Sequence, residues 1–422
     1  MFTRSSTDAA VPAEGPGTGQ RLRIALYSHD TLGLGHMRRN LLLAQAFTAP
    51  PLHAAILLIS GASTARAFAA PPGVDWLTLP ALHKHQDGHY DARSLGVALP
   101  ELVTLRAQTI RASLEAFRPD LLIVDKVPWG AFRELEPALA ALRAQGTTRC
   151  VLGLRDVLDE PAAVHREWWG NGNDEAIRAY YDAVWVYGDP VVYDPVQEYH
   201  FSDDVAGKVR YTGYLDQRAR QTAPDAVPDG TAVPVPDEPF VLCAVGGGQD
   251  GAALAETFAA AELPPGRRGV LLTGACLPDA ARARVRQAAA ENARLQVHDF
   301  MADPIPLVRA AERVVIMGGY NTVCEALSFE KPALVVPRVE PRQEQWIRAR
   351  RLHQLGLLDV LHPAMLTSRA LSAWMRQDRP APHVHESIDM RGLTRLPALL
   401  DEVLAPAAWA AAGLVEVRHA VR

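Results

Sequence analysis

Short apolar runs rich in β-branched residues recur along the chain, each followed by a glycine or a charged side chain and then by helical periodicity. In the first half they are Leu22–Ser28, Ala54–Ser60, Pro119–Asp125, Arg149–Leu154 and Ala183–Tyr187. In the second half they are Phe240–Val245, Gly269–Thr273, Leu295–His298, Arg313–Met317 and Ala333–Pro337. Near-continuous apolar runs mark strands buried on both faces, as in parallel sheets covered by helices. The first helix is expected over Arg38–Phe47. The pattern predicts an α/β fold of two Rossmann-like domains with parallel sheets facing across a cleft.

Between the halves, 221–239 holds Pro224, Pro228, Pro234, Pro236 and Pro239 with little apolar content, and reads as a linker. The expected organisation is a disordered tail over 1–20, a domain over 21–220, the linker, a second domain over 240–400, and a terminal helix and tail over 401–422. A chain of 422 residues exceeds one ordinary core. Its net charge of −5 gives no reason to expect nucleic acid as partner. Cys150, Cys243, Cys276 and Cys324 are scattered and read as reduced core thiols. No run reaches membrane-spanning length, and the polar start lacks a signal-peptide core. Ala405–Val415 is expected to be a terminal helix packed on the body. A cytoplasmic protein is expected, with peripheral contact at the inner membrane face as the alternative.

Candidate chemistry concentrates where strands end. Met317-Gly318-Gly319-Tyr320-Asn321-Thr322-Val323-Cys324-Glu325-Ala326 reads as strand, glycine turn and helix, with Asn321 or Thr322 as N-cap. Free N–H groups and the positive dipole end suit an anion, commonly a nucleotide diphosphate. Glu325, expected in the first turn, suits sugar hydroxyls; an ordinary strand-to-helix turn is the competing explanation. Gly246-x-Gly248-x-x-Gly251 matches the dinucleotide fingerprint, but the next strand lacks the ribose-binding acid. That turn, with Gly247, is expected to serve a phosphate or a neighbouring backbone. In Thr31–Asn40, Gly33 and Gly35 precede His36, a candidate general base. His29 and Asp30 are rival bases, or Asp30 orients the imidazole.

Arg338, Arg342, Arg348, Arg350 and Arg351 surround Gln343, Glu344 and Gln345. They suit phosphate and sugar, with most expected on a solvated helix face. Asp125-Lys126 and Arg155-Asp156 end apolar strands, and either line the cleft or pair with each other. The loop Leu82–Arg93, with His83, Lys84, His85, Asp87, His89 and Tyr90, suits an acceptor. No carboxylate–histidine spacing repeats along it, so a metal is not expected there. No D-x-D occurs, so a metal-chelated diphosphate has no evident anchor.

Gly33-Leu34-Gly35-His36, Gly246-Gly247-Gly248 and the Gly318–Ala326 segment with Lys331-Pro332, Pro337 and Gln345 together resemble the MurG-like branch of the GT-B glycosyltransferases. The resemblance runs from Arg21 to Leu361. It implies an inverting, metal-independent transferase without cofactor, moving a sugar from a nucleotide-diphosphate donor, favouring UDP, to a hydroxyl acceptor. The acceptor is a saccharide, a lipid-linked molecule or a small metabolite. By resemblance the second domain binds donor through Gly318, Gly319, Tyr320, Asn321, Thr322, Val323 and Glu325, with Phe300 and Met301 at the base. Glu344 and Gln345 would meet the donor sugar, while Gly35 and His36 stand at the reacting centre. Lys84, Tyr90, Asp125, Lys126, Arg155 and Asp156 are the acceptor-side candidates. Tyr320 departs from the small residue common in the family, which puts the phosphate approach in question; Glu330 stands where glycine is frequent. Gly-x-Gly-His-x-x-Arg also resembles nucleotide-sugar hydrolases of the same fold, the runner-up. A non-catalytic nucleotide-sugar binding protein is the third alternative.

Overall fold

The computed structural model describes residues 21–29, 35–61, 70–85, 89–222, 234–247, 250–299, 301 and 303–405. Asp30, Gly33, Gly248, Phe300, most of the linker and 406–422 therefore lie outside the described residues. Within them the chain begins with β1 (Arg23–Ser28), β2 (Ala55–Ser60) and β3 (Val74–Thr78). A small antiparallel hairpin follows, β4 (Leu82–Lys84) and β5 (Tyr90–Ala92). Then come β6 (Leu121–Asp125), β7 (Arg149–Arg155), β8 (Ala183–Tyr187) and β9 (Val209–Tyr211). Apart from the hairpin these form one parallel seven-stranded sheet in the order β3-β2-β1-β6-β7-β8-β9.

The second domain restarts with β10 (Phe240–Ala244), β11 (Arg268–Leu272), β12 (Leu295–His298), β13 (Arg313–Ile316), β14 (Ala333–Val335) and β15 (Asp359–Val360). They form a parallel six-stranded sheet in the order β12-β11-β10-β13-β14-β15. The two-sheet α/β architecture expected from the apolar runs is present. Strand order reverses between β1 and β6 in one sheet and between β10 and β13 in the other. Such switch points leave a crevice at the carboxyl ends of the strands. The helix carrying His36 follows β1, and the turns at Gly247 and Gly318 follow β10 and β13.

Alternation along each central strand divides the core. Ile24 and Leu26 face one apolar cluster, Ala25 and Tyr27 another. The first cluster continues without a break into the second domain, taking in Leu242, Ile316, Val323 and Leu327. The helix Gly392–Leu404 adds Leu393, Leu396, Leu399 and Leu400 to it, beside Leu42 and Phe47 of the helix Gly35–Thr48. This helix thus crosses back onto the first domain, where Arg210 Nε meets Glu402 Oε1 at 2.6 Å. Cys150, Cys243 and Cys324 are buried, but Cys276 is exposed, correcting its placement as a core thiol. Among the described residues no helix is long and apolar enough to cross a membrane.

Candidate functional site

At the first switch point the helix Gly35–Thr48 starts directly under the end of β6. His36 Nδ1 hydrogen-bonds Asp125 Oδ2, and Arg39 Nε donates to Asp125 Oδ1 at 3.0 Å. A carboxylate can only accept, so Nδ1 is the donor of this bond and Nε2 is the ring nitrogen turned away from Asp125. Burial alone would raise the Asp125 carboxyl, but Arg39 and His36 outweigh it and hold it well below the usual carboxylate range. Asp125 is therefore an orienting group beneath His36, a correction to its expected acceptor-side place. His29 lies with its ring 5.1 Å from that of His36. Burial, with the neighbouring His36 and Lys126 charges, pushes His29 well below its ordinary value. That leaves it a weaker base than the rival it was expected to be.

At the second switch point Gly318 packs against the helix Glu344–Gln354. A Cβ on Gly318 would stand 2.9 Å from Gln345 Cβ and 3.0 Å from its carbonyl oxygen, so only glycine fits. Gly319, with extended backbone, is the N-cap of the helix Tyr320–Ser328, correcting the expected Asn321 or Thr322. The N–H groups of Tyr320, Asn321 and Thr322 precede the first intrahelical bond and remain available for an anion. Val323 does not share that role, because its N–H donates to Gly319 O at 3.0 Å. Asn321 Nδ2 donates to Gly35 O at 2.8 Å, joining the two candidate loops across the domains.

Tyr320 does not face a phosphate with its side chain. The ring is buried between Arg39 and Arg348, whose guanidinium carbons lie 5.7 and 5.6 Å from its centroid, and it stacks on Tyr214 at 6.1 Å. The departure from a small residue is thus accommodated in the domain interface. Glu325 falls in the second helical turn rather than the first and is only 3% exposed. Arg220 Nη1 donates to Glu325 Oε1 at 3.1 Å, while Arg220 Nη2 reaches Asp303 Oδ1 at 2.5 Å. Burial raises the Glu325 carboxyl despite Arg220 and Arg38. Arg38 Nη2 donates to Met301 O at 3.1 Å, a second tie between the domains.

Glu344 and Gln345 are held by the preceding loop: Arg338 Nη2 donates to Glu344 Oε1 at 2.5 Å and Arg338 N to Gln345 Oε1 at 3.0 Å. Glu344 Oε2 is buried without a hydrogen-bond partner. Gly246 and Gly247 meet a neighbouring backbone, since a Cβ on Gly274 would lie 2.4 Å from Gly246 O. Cys276 N also donates to Gly247 O at 2.9 Å.

The arginine cluster corrects another expectation. Arg342 donates to Asp159 at 3.1 Å and to Glu167 at 2.7 Å, and Arg351 meets Glu198. Arg348 Nε donates to Asp156 Oδ2 at 2.8 Å and Arg348 Nη1 to Gly318 O at 2.9 Å. Arg342, Arg348 and Arg351 thus clamp the first domain, whereas Arg338 pairs with Asp250 and Glu344 of its own domain and Arg350 is exposed as expected. Asp156 is fully buried in that clamp, so it is not an acceptor contact, and neither strand-end charge pair closes on itself. Lys126 and Arg155 remain at the ends of β6 and β7, making no side-chain hydrogen bond among the described residues. Burial, with Arg155 and Arg342 adding to it, lowers the Lys126 ammonium to about 7. Burial lowers Arg155 to about 10. Tyr90 lies on the hairpin with its ring edge-on to Phe132 at 5.1 Å. Lys84 is the last residue of β4.

Arg38 and Arg220 escaped the sequence reading, and Arg39 entered it only as the arginine of Gly-x-Gly-His-x-x-Arg. One signal was present: Arg38 ends a first helical turn that has no acidic residue and Arg39 follows it, where positive charge opposes the dipole. Such residues need partners from elsewhere, and here these are Met301 O and Asp125.

No family model matches the chain. An uncharacterized glycosyltransferase of Methanosarcina acetivorans is 27% identical over 139 residues, 33% of this chain and 33% of that protein. The match thus spans about a third of the relative's length. Among solved structures, the spinosyn forosaminyltransferase SpnP superposes with a TM-score of 0.60 at 13% identity, over 92% of this chain and 100% of that one. A putative UDP-N-acetylglucosamine 2-epimerase from Listeria monocytogenes gives 0.57 at 13%, over 91% and 97%. MurG of Acinetobacter baumannii gives 0.50 at 14%, over 90% and 95%. Paired parallel sheets, reversed at facing switch points and matched over nearly the whole length of these proteins, give the chain the two-domain GT-B fold.

Proposed function

We propose that the protein is an inverting, metal-independent glycosyltransferase that moves a sugar from a UDP-sugar or related nucleotide-diphosphate donor to a hydroxyl acceptor. One observation carries the reading: His36, oriented by Asp125 in one domain, adjoins Gly35, whose carbonyl is held by Asn321 at the open helix start of the other. A base and an anion site drawn from two sheets meet in one crevice. His36 Nε2 takes the proton of the acceptor hydroxyl as its oxygen attacks the anomeric carbon. The bond to the diphosphate oxygen breaks on the opposite face, and the N–H groups of residues 320–322 receive the leaving charge. Glu325 accepts the ribose hydroxyls once Arg220 releases its carboxylate. Arg38 and Asn321 hold the domains together and exclude water from the transfer.

Incubating purified protein with nucleotide sugars, with and without a saccharide acceptor panel, tests this. Glycosylated product and nucleotide diphosphate in equal amounts, formed only with acceptor, are expected. Rapid stoichiometric release of free sugar without acceptor would replace transfer by hydrolysis.

A further inference from the structure

The β4–β5 hairpin carries chemistry that the transfer reaction does not use. Antiparallel pairing sets His83 opposite Asp91, and His85 N donates to His89 O at 2.8 Å, so the ladder continues one step further. Residues two apart on a strand, and residues directly opposite, share a face. His83, His85, His89 and Asp91 therefore stand together on one face of a ribbon. The His83 and His85 rings stack at 4.5 Å, and those of His85 and His89 are 4.7 Å apart. His85 Nε2 lies 2.8 Å from Asp91 Oδ2, while His83 Nδ1 lies 3.8 Å from Asp91 Oδ1. One ligand atom from each of His83, His85 and Asp91 lies within 4.8 Å of the others.

One feature is poorly explained by packing alone. Asp91 Oδ1 is buried without a hydrogen-bond partner although the side chain is half-exposed overall. That oxygen, beside the lone pairs imidazole nitrogens can offer, suits a shared cation. Tetrahedral ligands at ordinary Zn–N and Zn–O lengths stand about 3.4 Å apart, and the 2.8 and 3.8 Å spacings of the two histidines from Asp91 bracket that value. Imidazole and carboxylate donors favour zinc-like metals over Mg2+ or Ca2+, which take all-oxygen sets.

We propose that His83, His85 and Asp91, with His89 beside them, form a binding site for one divalent transition metal, Zn2+ by preference. The metal staples the hairpin, a short ribbon that is marginal alone. It is a site distinct from His36 and Asp125, and its existence does not depend on the reaction proposed above.

The test uses the untagged full chain, stripped of metal and titrated with Co2+. Wild type is expected to bind one equivalent at micromolar metal with the visible absorption of low-coordinate Co2+, displaced by Zn2+. Zn2+ should also raise its Tm. His85→Ala and Asp91→Asn should each weaken binding about 100-fold and abolish the Tm rise, while His200→Ala, elsewhere in the first domain, should leave both intact. Circular dichroism confirms that the variants fold. No saturable binding by wild type, or undiminished binding in the His83→Ala/His85→Ala double variant, would overturn the site.

Discussion

Asp156 and Arg348, 192 positions apart, form a two-pronged ion pair between the domains from which solvent is wholly excluded. Tyr214 Oη donates to the same carboxylate at 2.8 Å, and Arg348 Nη1 continues to Gly318 O. The link runs from the end of β7 to the glycine turn of the candidate donor site. Removing one member of a buried pair strands the other charge, typically costing about 3–5 kcal/mol. Asp156→Ala is expected to lose that much in denaturant unfolding, whereas Asp156→Leu combined with Arg348→Met should lose less. Equal losses would mean that no uncompensated charge is involved.

His36→Ala is expected to keep nucleotide affinity but to lose about 10²–10⁴-fold in turnover, the usual contribution of a general base. Asp125→Asn should also lower kcat, because the amide no longer fixes the tautomer and leaves the Arg39 charge less balanced. Steady-state kinetics with calorimetric UDP binding separates the effects. Full turnover in His36→Ala would hand proton transfer to another group.

Glu325→Ala should weaken UDP binding by about 10–100-fold, the scale of a lost hydrogen bond to a charged group. Calorimetry measures it directly. Arg220 Nη1 already occupies this carboxylate, so the ribose hydroxyls must displace it. Unchanged UDP affinity in Glu325→Ala would remove the ribose role.

The expected transfer needs no metal at the reacting centre, yet the hairpin is assigned one. Chelation separates the two claims. EDTA-treated enzyme should keep its kcat while its Tm falls, and Zn2+ should restore the Tm. Turnover lost to EDTA and restored by Mg2+ would place a metal at the diphosphate and contradict the proposed chemistry.

Central strands were legible because burial on both faces leaves apolar runs such as Ala183–Tyr187, whose every residue is buried. Val74–Thr78 escaped because it is an edge strand with exposed Asp75 and Thr78 and no fully buried residue. The hairpin escaped because its sequence is polar, and its histidines converge only through cross-strand register, which linear spacing does not reveal. The glycine turns and His36 were readable from strand ends. The roles of Asp125, Asp156 and Tyr320 were not, since their partners lie far along the chain or in the other domain. A buried carboxylate beside a strand end looks the same in sequence whether it meets substrate or arginine.

Lys126 carries the last prediction. It sits at the end of β6 with φ of 68°, a left-handed conformation uncommon for lysine, and burial has lowered its ammonium to about 7. In the unfolded chain the same group titrates near its ordinary 10.5. Between those values the unfolded state binds more protons, so stability rises with pH across this window. Below about 7 the group is charged in both states and the full cost of burying that charge is present; near 10.5 the cost has vanished. Lys126→Met should therefore raise Tm most at neutral or lower pH, and its advantage should shrink as pH climbs towards 10. Thermal unfolding of both proteins at pH 6, 8 and 10 decides the matter. A Tm difference constant across that range would show that Lys126 stays charged in the folded protein.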